Sequence, residues 1–170
     1  MIITLSGEIG SGKSTIGKEL TKKLNYSYRS TGEIFKKMAK KHKTDLINFL
    51  RYAETNLNID RELDEELRNT KQNTILDSRM GFYFANPDLK IWLKAPLDER
   101  VKRIAKRDFF ENENFEMIKE KIKERERVER ERYLRLYSID IFNEENYDLI
   151  IDTIECNIRQ VIEKIISVIE

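Results

Sequence analysis

The sequence predicts one doubly wound α/β domain, in which helices cover both faces of a parallel β-sheet. Five short β-like runs alternate with longer, charge-rich helical stretches along the 170 residues. Three of these runs, at 75–76, 91–93 and 149–151, are almost entirely apolar, as expected of parallel strands that are covered on both faces. Strands and helices that alternate in this way build a sheet with right-handed crossovers, and the chain is long enough for one core.

The individual elements follow from the same alternation. Strands are predicted at residues 2–6, 26–30, 74–78, 89–94 and 148–152. Helices are predicted near residues 13–24, 31–42, 45–55, 60–71, 97–108, 114–137 and 156–169. Pro96 closes the fourth strand because it lacks a backbone N–H. Ligands bind beyond the carboxyl ends of the strands in such a sheet, so the residues after each strand are the first candidates for a site.

Residues 7–14 carry the most specific motif. They read Gly-Glu-Ile-Gly-Ser-Gly-Lys-Ser between the first strand and the first helix, which is the spacing and context of a phosphate-binding loop. Glycines let successive N–H groups face an anion, and Lys13 and Ser14 are suited to reach the terminal phosphates and Mg²⁺. The motif therefore predicts binding of a nucleoside triphosphate. The predicted residues are Gly7, Glu8, Ile9, Gly10, Ser11, Gly12, Lys13, Ser14 and Thr15.

A second anion site is predicted after the second strand. Ser30, Thr31 and Gly32 come directly before the next helix, and Lys36 lies one turn into it. Gly32 would let a ligand approach the backbone, and Thr31 offers a hydroxyl that can also cap the helix. A capped helix start with Lys36 in solvent explains this segment equally well when it is taken alone.

The third strand ends in residues that suit the same site. Asp77 stands at the strand tip, the usual position of an outer-shell Mg²⁺ ligand beside a phosphate-binding loop. Arg79 leaves from the same edge, and its guanidinium suits bidentate binding of a phosphate. An exposed surface ion pair is the alternative for Arg79, but Lys13 and Lys36 are further cationic candidates, which favours a role in phosphate binding.

Two helices rich in arginine are predicted to form a lid. One carries arginines at i, i+3 and i+7, and the other carries charged residues at i, i+4 and i+7. These residues are Arg100, Arg103 and Arg107 on the first helix, and Arg125, Glu129 and Arg132 on the second. The polar segment 108–114 joins the two helices. A cover of this kind would exclude water from a phosphoryl transfer.

The charge-rich stretch 119–135 also allows two other interpretations. One is a solvated helix with i, i+4 ion pairs, such as Glu126 with Arg130 and Glu131 with Arg135. The other is a helix that binds nucleic acid. The interleaved glutamates and the lack of exposed aromatic residues make the second interpretation weaker.

The amino-acid composition disfavours several classes of function. The 32 Lys and Arg residues almost balance the 31 Asp and Glu residues, which disfavours nucleic acid as the main partner. A single cysteine, Cys156, excludes an internal disulfide, and it forms no transition-metal motif with the single histidine, His42. No apolar run approaches the length of a membrane span. We expect a cytoplasmic monomer without a membrane or nucleic-acid partner.

Together these segments resemble the nucleoside monophosphate kinase family, and most closely its archaeal cytidylate kinases. The resemblance covers nearly the whole chain and rests on the phosphate-binding loop and on the segments at 30–39, 59–64, 75–79, 89–100 and 125–133. It implies a five-stranded parallel sheet in the order 2-3-1-4-5. It also implies a core of residues 1–30, 73–107 and 137–170, a monophosphate-binding lobe near 31–72 and a lid near 104–136.

The resemblance also implies roles for particular residues. ATP and Mg²⁺ would bind at the loop with Arg103 and Arg107, and Ser14 and Asp77 would hold the metal, directly or through water. The implied acceptor residues are Ser30, Thr31, Gly32, Lys36, Asp60, Arg61, Asp64, Arg79, Arg125, Glu129 and Arg132. The implied catalytic residues are Lys13, Arg79, Arg125 and Arg132.

Two positions depart from the family pattern. Lys36 stands where the family usually has an arginine, so a point charge replaces a planar fork. Met80 stands where bacterial cytidylate kinases carry an aspartate that reads the cytosine. Base recognition would then depend on Asp60, Arg61 or Asp64.

The resulting hypothesis is transfer of the γ-phosphoryl group of ATP to CMP or dCMP. The acceptor is already an anionic phosphate oxygen, so no general base is needed. Kinases of AMP, dTMP or dephospho-coenzyme A on the same fold remain alternatives, and an ATPase that binds RNA is an alternative of another class. A switch GTPase is disfavoured because the sequence contains neither an Asn-Lys-x-Asp nor an Asp-x-x-Gly segment.

Overall fold

A computed structural model of the protein describes residues 1–44, 46–108 and 114–169. Five parallel strands form one sheet in the order β2-β3-β1-β4-β5. The strands are β1 (Ile2–Gly7), β2 (Ser27–Ser30), β3 (Thr74–Asp77), β4 (Leu89–Lys94) and β5 (Leu149–Asp152). This order and the alternation of strands with helices confirm the predicted doubly wound fold.

The helices of the described residues follow the predicted pattern. They are α1 (Lys13–Leu24), α2 (Thr31–Lys41), α3 (Leu46–Thr55), α4 (Leu57–Arg68), α5 (Gly81–Phe84), α6 (Leu97–Asp108), α7 (Phe115–Tyr137) and α8 (Ile158–Ile169). The four-residue helix α5 and a 3-10 turn at Glu144–Asn146 were not predicted, because each is too short to show a helical period. Among the described residues, no helix combines the length and apolarity that a membrane crossing requires.

Polar side chains fix where several helices begin. Asn56 accepts a hydrogen bond from the Asn58 N–H at 3.0 Å, so α4 starts earlier than the apolar period alone predicts. Ser30 caps α2, because its hydroxyl accepts from the Glu33 N–H while the Glu33 carboxylate accepts from the Ser30 N–H. The prediction that Thr31 caps this helix is therefore wrong. Thr31 is its first helical residue.

The chain divides into two compact units, and the first comprises Met1–Ser6 and Gly17–Lys90. Within it β3 lies between β1 and β2, with Ile75 opposite both Ile3 and Tyr28. The fully buried side chains here include Ile34, Phe49 and Leu67 from α2, α3 and α4. Arg29 on β2 donates to the Glu66 carbonyl oxygen at 2.6 Å, and this bond holds the end of α4 beside the strand.

The second unit comprises Gly7–Ile16 and Ile91–Glu170. Its strands β4 and β5 pair in parallel, with Trp92 opposite Ile150. The Trp92 ring packs edge-on against Phe142 at 5.5 Å and lies 5.0 Å from the Tyr147 ring, measured between centroids. A separate apolar cluster joins α6 to α7 and is formed by Val101, Ile104, Ile118 and Ile122, with Ile9, Leu97 and Ala105 packed against it.

One cluster of charges links the end of α2 to α4 in the first unit. The Glu62 carboxylate accepts hydrogen bonds from Lys41 at 2.5 Å and from His42 at 3.2 Å. The Lys41 bond, with a further contribution from His42, holds the pKa of Glu62 below its ordinary value. A carboxyl group with a lower pKa in the folded state stabilises the fold above its unfolded pKa, and that contribution disappears as the pH falls through the folded pKa.

We therefore expect Glu62→Gln to unfold more easily than the parent at neutral pH, because the amide cannot form the ion pair with Lys41. The difference in free energy of unfolding should shrink as the solution is acidified, since the parent loses its carboxylate there. Urea unfolding followed by circular dichroism from neutral to acidic pH measures this. The control is Glu65→Gln on the exposed side of α4, which should show much less pH dependence. A Glu62→Gln deficit that stays constant on acidification would contradict the expectation.

Candidate active site

The predicted phosphate-binding loop connects β1 to α1 in the expected strand–loop–helix context. Gly7 has φ of 143°, and a Cβ atom there would lie 2.2 Å from the Leu93 carbonyl oxygen. Only glycine fits so close to the backbone of β4. The N–H of Glu8 donates to the same Leu93 oxygen at 3.2 Å. The start of the loop is therefore fixed directly against β4.

Lys13 is the first residue of α1, and its side chain folds back over the loop. Its Nζ donates to the carbonyl oxygens of Gly7 at 2.8 Å and Glu8 at 2.9 Å. Gly10 and Gly12 both have positive φ, of 83° and 99°. The ammonium group and the amino-terminal end of α1 thus belong to one compact loop, which favours binding of an anion.

A cavity of about 590 Å³ opens beside the loop within the second unit. Its lining residues are Ser11, Gly12, Thr15, Ile16, Arg103, Thr153, Cys156, Asn157, Ile158, Arg159 and Val161. Ser11 is fully buried, and its hydroxyl oxygen has no hydrogen-bond partner among the described residues. The sequence did not identify the lining residues after β5, although the strand-end rule directs attention to 152–154.

Arg103 joins the loop to the segment after β5. Its guanidinium donates to the Thr153 hydroxyl at 2.8 Å and to the Thr153 carbonyl oxygen at 3.1 Å. The Thr153 hydroxyl in turn donates to the Ser11 carbonyl oxygen at 3.0 Å. Arg103 therefore forms part of the cavity wall, close to the predicted triphosphate site. The side chain of Arg107 and the joining segment 109–113 lie outside the described residues.

Arg100 does not have the position that the arginine stripe predicts. It is 5% exposed, so it belongs to the interior and not to a solvent-facing lid surface. Its Nη1 donates to the Ile9 carbonyl oxygen at 3.1 Å and to the Glu126 carboxylate at 2.8 Å.

The predicted ion pairs of α7 also need correction. Glu126 pairs with Arg100 and not with Arg130, which instead pairs with Asp140. Glu131 pairs with Arg127, at i−4, and not with Arg135. Spacing along one helix could not reveal the partners of Glu126 and Arg130, because those partners come from other segments.

The residues predicted to form the second anion site, at the start of α2, lie in the first unit. Ser30 is occupied as the helix cap, whereas the Thr31 hydroxyl oxygen is buried with no hydrogen-bond partner among the described residues. Gly32 and Lys36 are exposed on the first turns of the helix. A buried hydroxyl without a partner next to an exposed glycine and lysine suits an anionic ligand.

Asp77 has a partner that the sequence did not reveal. The Tyr28 hydroxyl donates to the Asp77 Oδ2 at 2.7 Å. The Tyr28 ring lies against Gly17 of α1, where an added Cβ atom would be 2.7 Å from a ring carbon. The sequence offered two signals of this contact, namely a glycine inside a predicted helix and a tyrosine on a short predicted strand.

The other residues implied to bind the acceptor lie on α4, on α7 and in the loop after β3. On α4, Arg61 is exposed, Asp60 is half-buried and Asp64 is buried. On α7, the Arg125 Nε donates to the Glu129 Oε1 at 3.2 Å, so these two residues share a face as predicted. The side chains of Arg79 and Arg132 are half-buried, and that of Met80 is buried.

The sequence is similar to archaeal proteins across almost its entire length. It matches the cytidylate kinase-like family over residues 2–155. A cytidylate kinase of Methanosphaera stadtmanae is 40% identical over 100% of this chain and 98% of that protein. One of Methanobrevibacter smithii is 44% identical over 90% of this chain and 89% of that protein.

The fold is shared with solved structures of low sequence identity. A shikimate kinase from Bacteroides thetaiotaomicron has a TM-score of 0.66 and 14% identity, over 99% of this chain and 98% of that one. A shikimate kinase from Acinetobacter baumannii in complex with shikimate has a TM-score of 0.64 and 18% identity, over 99% and 92%. These neighbours support the fold alone. The family match and the archaeal relatives confirm the resemblance read from the motifs, and the chain belongs to the cytidylate kinase-like family.

Proposed function

We propose that the protein transfers the γ-phosphoryl group of ATP to CMP or dCMP, giving ADP and the corresponding diphosphate. The observation that carries this proposal is an intact phosphate-binding loop in a chain that aligns over its whole length with proteins named cytidylate kinase. The loop supports a triphosphate donor, and the relatives' name supports a cytidine monophosphate acceptor.

The second unit offers the features that ATP requires. The cavity beside the loop has apolar walls from Ile16, Ile158 and Val161, which suit a base. The Ser11 hydroxyl and the guanidinium of Arg103 add polar groups at the loop side of the cavity. Lys13 would exchange its two carbonyl acceptors for phosphate oxygens, which form stronger charge-assisted hydrogen bonds.

The residues proposed for Mg²⁺ fit a hard cation. Ser14 is exposed at the start of α1, and Asp77 presents a carboxylate whose Oδ2 is held by Tyr28. Both offer oxygen ligands, which Mg²⁺ prefers. When bound, Mg²⁺ would neutralise charge on the donor phosphates.

The first unit offers groups for the acceptor phosphate. The buried Thr31 hydroxyl, the exposed backbone at Gly32 and the charges of Lys36 and Arg79 are all suited to a phosphate. From α7 we add Arg125, Glu129 and Arg132, of which the arginines would neutralise charge during transfer. No general base is required, because the attacking oxygen is already anionic.

For the cytosine we propose α4, where the predicted base-reading residues Asp60, Arg61 and Asp64 lie. Asp64 is buried, and a carboxylate at this position is a suitable acceptor for an amino group such as that of cytosine. Met80 is buried and apolar and contributes no hydrogen bond to a base. We keep residues 31–72 as the acceptor lobe and 104–136 as the lid, and propose a cytoplasmic monomer that acts without nucleic acid.

The decisive experiment is a panel of acceptors with ATP and Mg²⁺. CMP and dCMP should be phosphorylated with the highest kcat/KM, and AMP, dTMP and dephospho-coenzyme A should be poorer acceptors. Shikimate tests whether the shared fold also accepts a hydroxyl group, and we expect no product from it. Strong preference for another acceptor would overturn the assignment. ATP hydrolysis that RNA stimulates and that no monophosphate affects would support the ATPase alternative.

We expect Lys13→Ala to lower the rate of phosphoryl transfer severely while leaving the fold intact. Loss of one well-placed charged donor costs about 3 kcal/mol of transition-state stabilisation, or roughly a hundredfold in kcat. Steady-state kinetics and thermal unfolding measure the two effects separately. Lys18→Ala, on the exposed face of the same helix, is the matched control and should behave like the parent. Near-normal kcat in Lys13→Ala would contradict the role.

We expect Arg79→Ala to raise the KM for CMP far more than the KM for ATP, because Arg79 is assigned to the acceptor phosphate and not to ATP. Initial rates at varied concentrations of each substrate test this. Arg68→Ala removes an exposed arginine of the same unit that lies 4.7 Å from the Phe84 ring centre, and both KM values should stay near those of the parent. Equal increases in the two KM values for Arg79→Ala would exclude its assignment to the acceptor.

A further inference from the structure

Ile9, in the phosphate-binding loop, is held by α6 and α7 at three points. Its N–H donates to the Glu126 Oε1 at 2.8 Å, and its carbonyl oxygen accepts from the Arg100 Nη1 at 3.1 Å. Its side chain packs against the apolar cluster that joins the two helices. The N–H, the carbonyl group and the side chain of one loop residue are thus all engaged by neighbouring helices.

The two side chains that bond to the Ile9 peptide, Arg100 and Glu126, form a buried ion pair. The Arg100 Nη1 donates to the same Glu126 oxygen at 2.8 Å, and the exposed fraction of the side chain is 6% for Arg100 and 13% for Glu126. The Arg100 Nε donates to the Ala95 carbonyl oxygen at 3.0 Å and lies 3.4 Å from the Glu8 carboxylate. The same Glu8 oxygen accepts from the Ala95 N–H at 3.0 Å. Two loop residues, Glu8 and Ile9, are therefore bound into one network.

Packing alone would hold α6 and α7 together, because their apolar cluster is already buried. A buried ion pair adds little net stability over a well-packed apolar pair, since both charges lose their water. The contribution of the pair is directional. The Glu126 oxygen accepts from the Ile9 N–H and the Arg100 guanidinium donates to the Ile9 carbonyl oxygen, so the two side chains orient the Ile9 peptide. The network therefore fixes the orientation of the Ile9 peptide within the loop.

We propose that Glu126 and Arg100 are positioning residues for the donor phosphates. They hold the Ile9 peptide so that the loop keeps one shape, and they bind that loop to α7 next to Arg125. Neither residue touches the nucleotide in this proposal, and both act through Ile9. The proposal rests on the proposed function, which supplies the triphosphate that the loop receives.

The test compares Glu126→Ala and Glu126→Gln with Glu124→Ala. Glu124 lies on the same helix but is exposed and pairs with the exposed Arg127, so it is a matched control. Glu126→Ala should weaken binding of a non-hydrolysable ATP analogue and lower kcat/KM for ATP by about a hundredfold, the loss typical of a displacement of about 1 Å near a reacting group. CMP binding to the free enzyme should not change. Glu126→Gln should be intermediate, because its amide oxygen can still accept from Ile9.

Amide hydrogen exchange gives a readout that does not need turnover. The Ile9 N–H should exchange faster in Glu126→Ala than in the parent, and Glu124→Ala should match the parent. Arg100→Lys keeps the charge but loses the planar guanidinium that bonds to Ala95, Ile9 and Glu126 at once. This variant should therefore also bind the ATP analogue more weakly. The double variant Arg100→Lys with Glu126→Ala should lose less than the two single losses combined, because both changes release the same peptide.

Normal affinity for the ATP analogue and normal Ile9 exchange in folded Glu126→Ala would overturn the proposal. A lower thermal midpoint with unchanged kinetic constants would also overturn it, since the pair would then be only structural. A parent that binds the analogue but does not phosphorylate CMP would overturn the proposed function alone. In that case the analogue affinities and the Ile9 exchange rates still decide the role of Glu126.

Discussion

The structure depends on how closely the phosphate-binding loop is packed against its own surroundings. Gly7 lies so near the Leu93 carbonyl oxygen that no side chain fits, and Lys13 closes over the loop onto the carbonyls of Gly7 and Glu8. The loop is thus fixed at both ends by contacts within the protein. A backbone that its neighbours already fix costs less to align around an anion, which favours phosphoryl transfer.

Burial distinguishes Glu126 from the exposed glutamates of α7. The exposed Glu124 and Glu131 pair with Arg127 on the same helix, and such pairs contribute little. Glu126 differs because its carboxylate meets Arg100 and the Ile9 N–H in the interior, where removal of one partner costs about 3–5 kcal/mol. The sequence did contain a signal, since Glu126 continues the i, i+4 spacing of the buried Ile118 and Ile122.

Periodic features could be predicted from the sequence, and contacts between distant segments could not. The bounds of α1 and α6 agree with the predicted bounds, because apolar spacing and flanking residues determine them locally. The Tyr28 hydrogen bond to Asp77 and the Thr153 contacts of Arg103 join side chains from different segments of the chain. The implied sheet order says which strands are neighbours, but no spacing rule says which side chains then meet, so these contacts had to come from the structure.

A nearly neutral protein can bind two anionic nucleotides only through local positive groups. With 32 basic and 31 acidic residues the net field is small, so attraction must come from local groups. The donor candidates Lys13 and Arg103 belong to the second unit, whereas the acceptor candidates Lys36 and Arg79 belong to the first. Local cations of this kind make a general basic surface unnecessary.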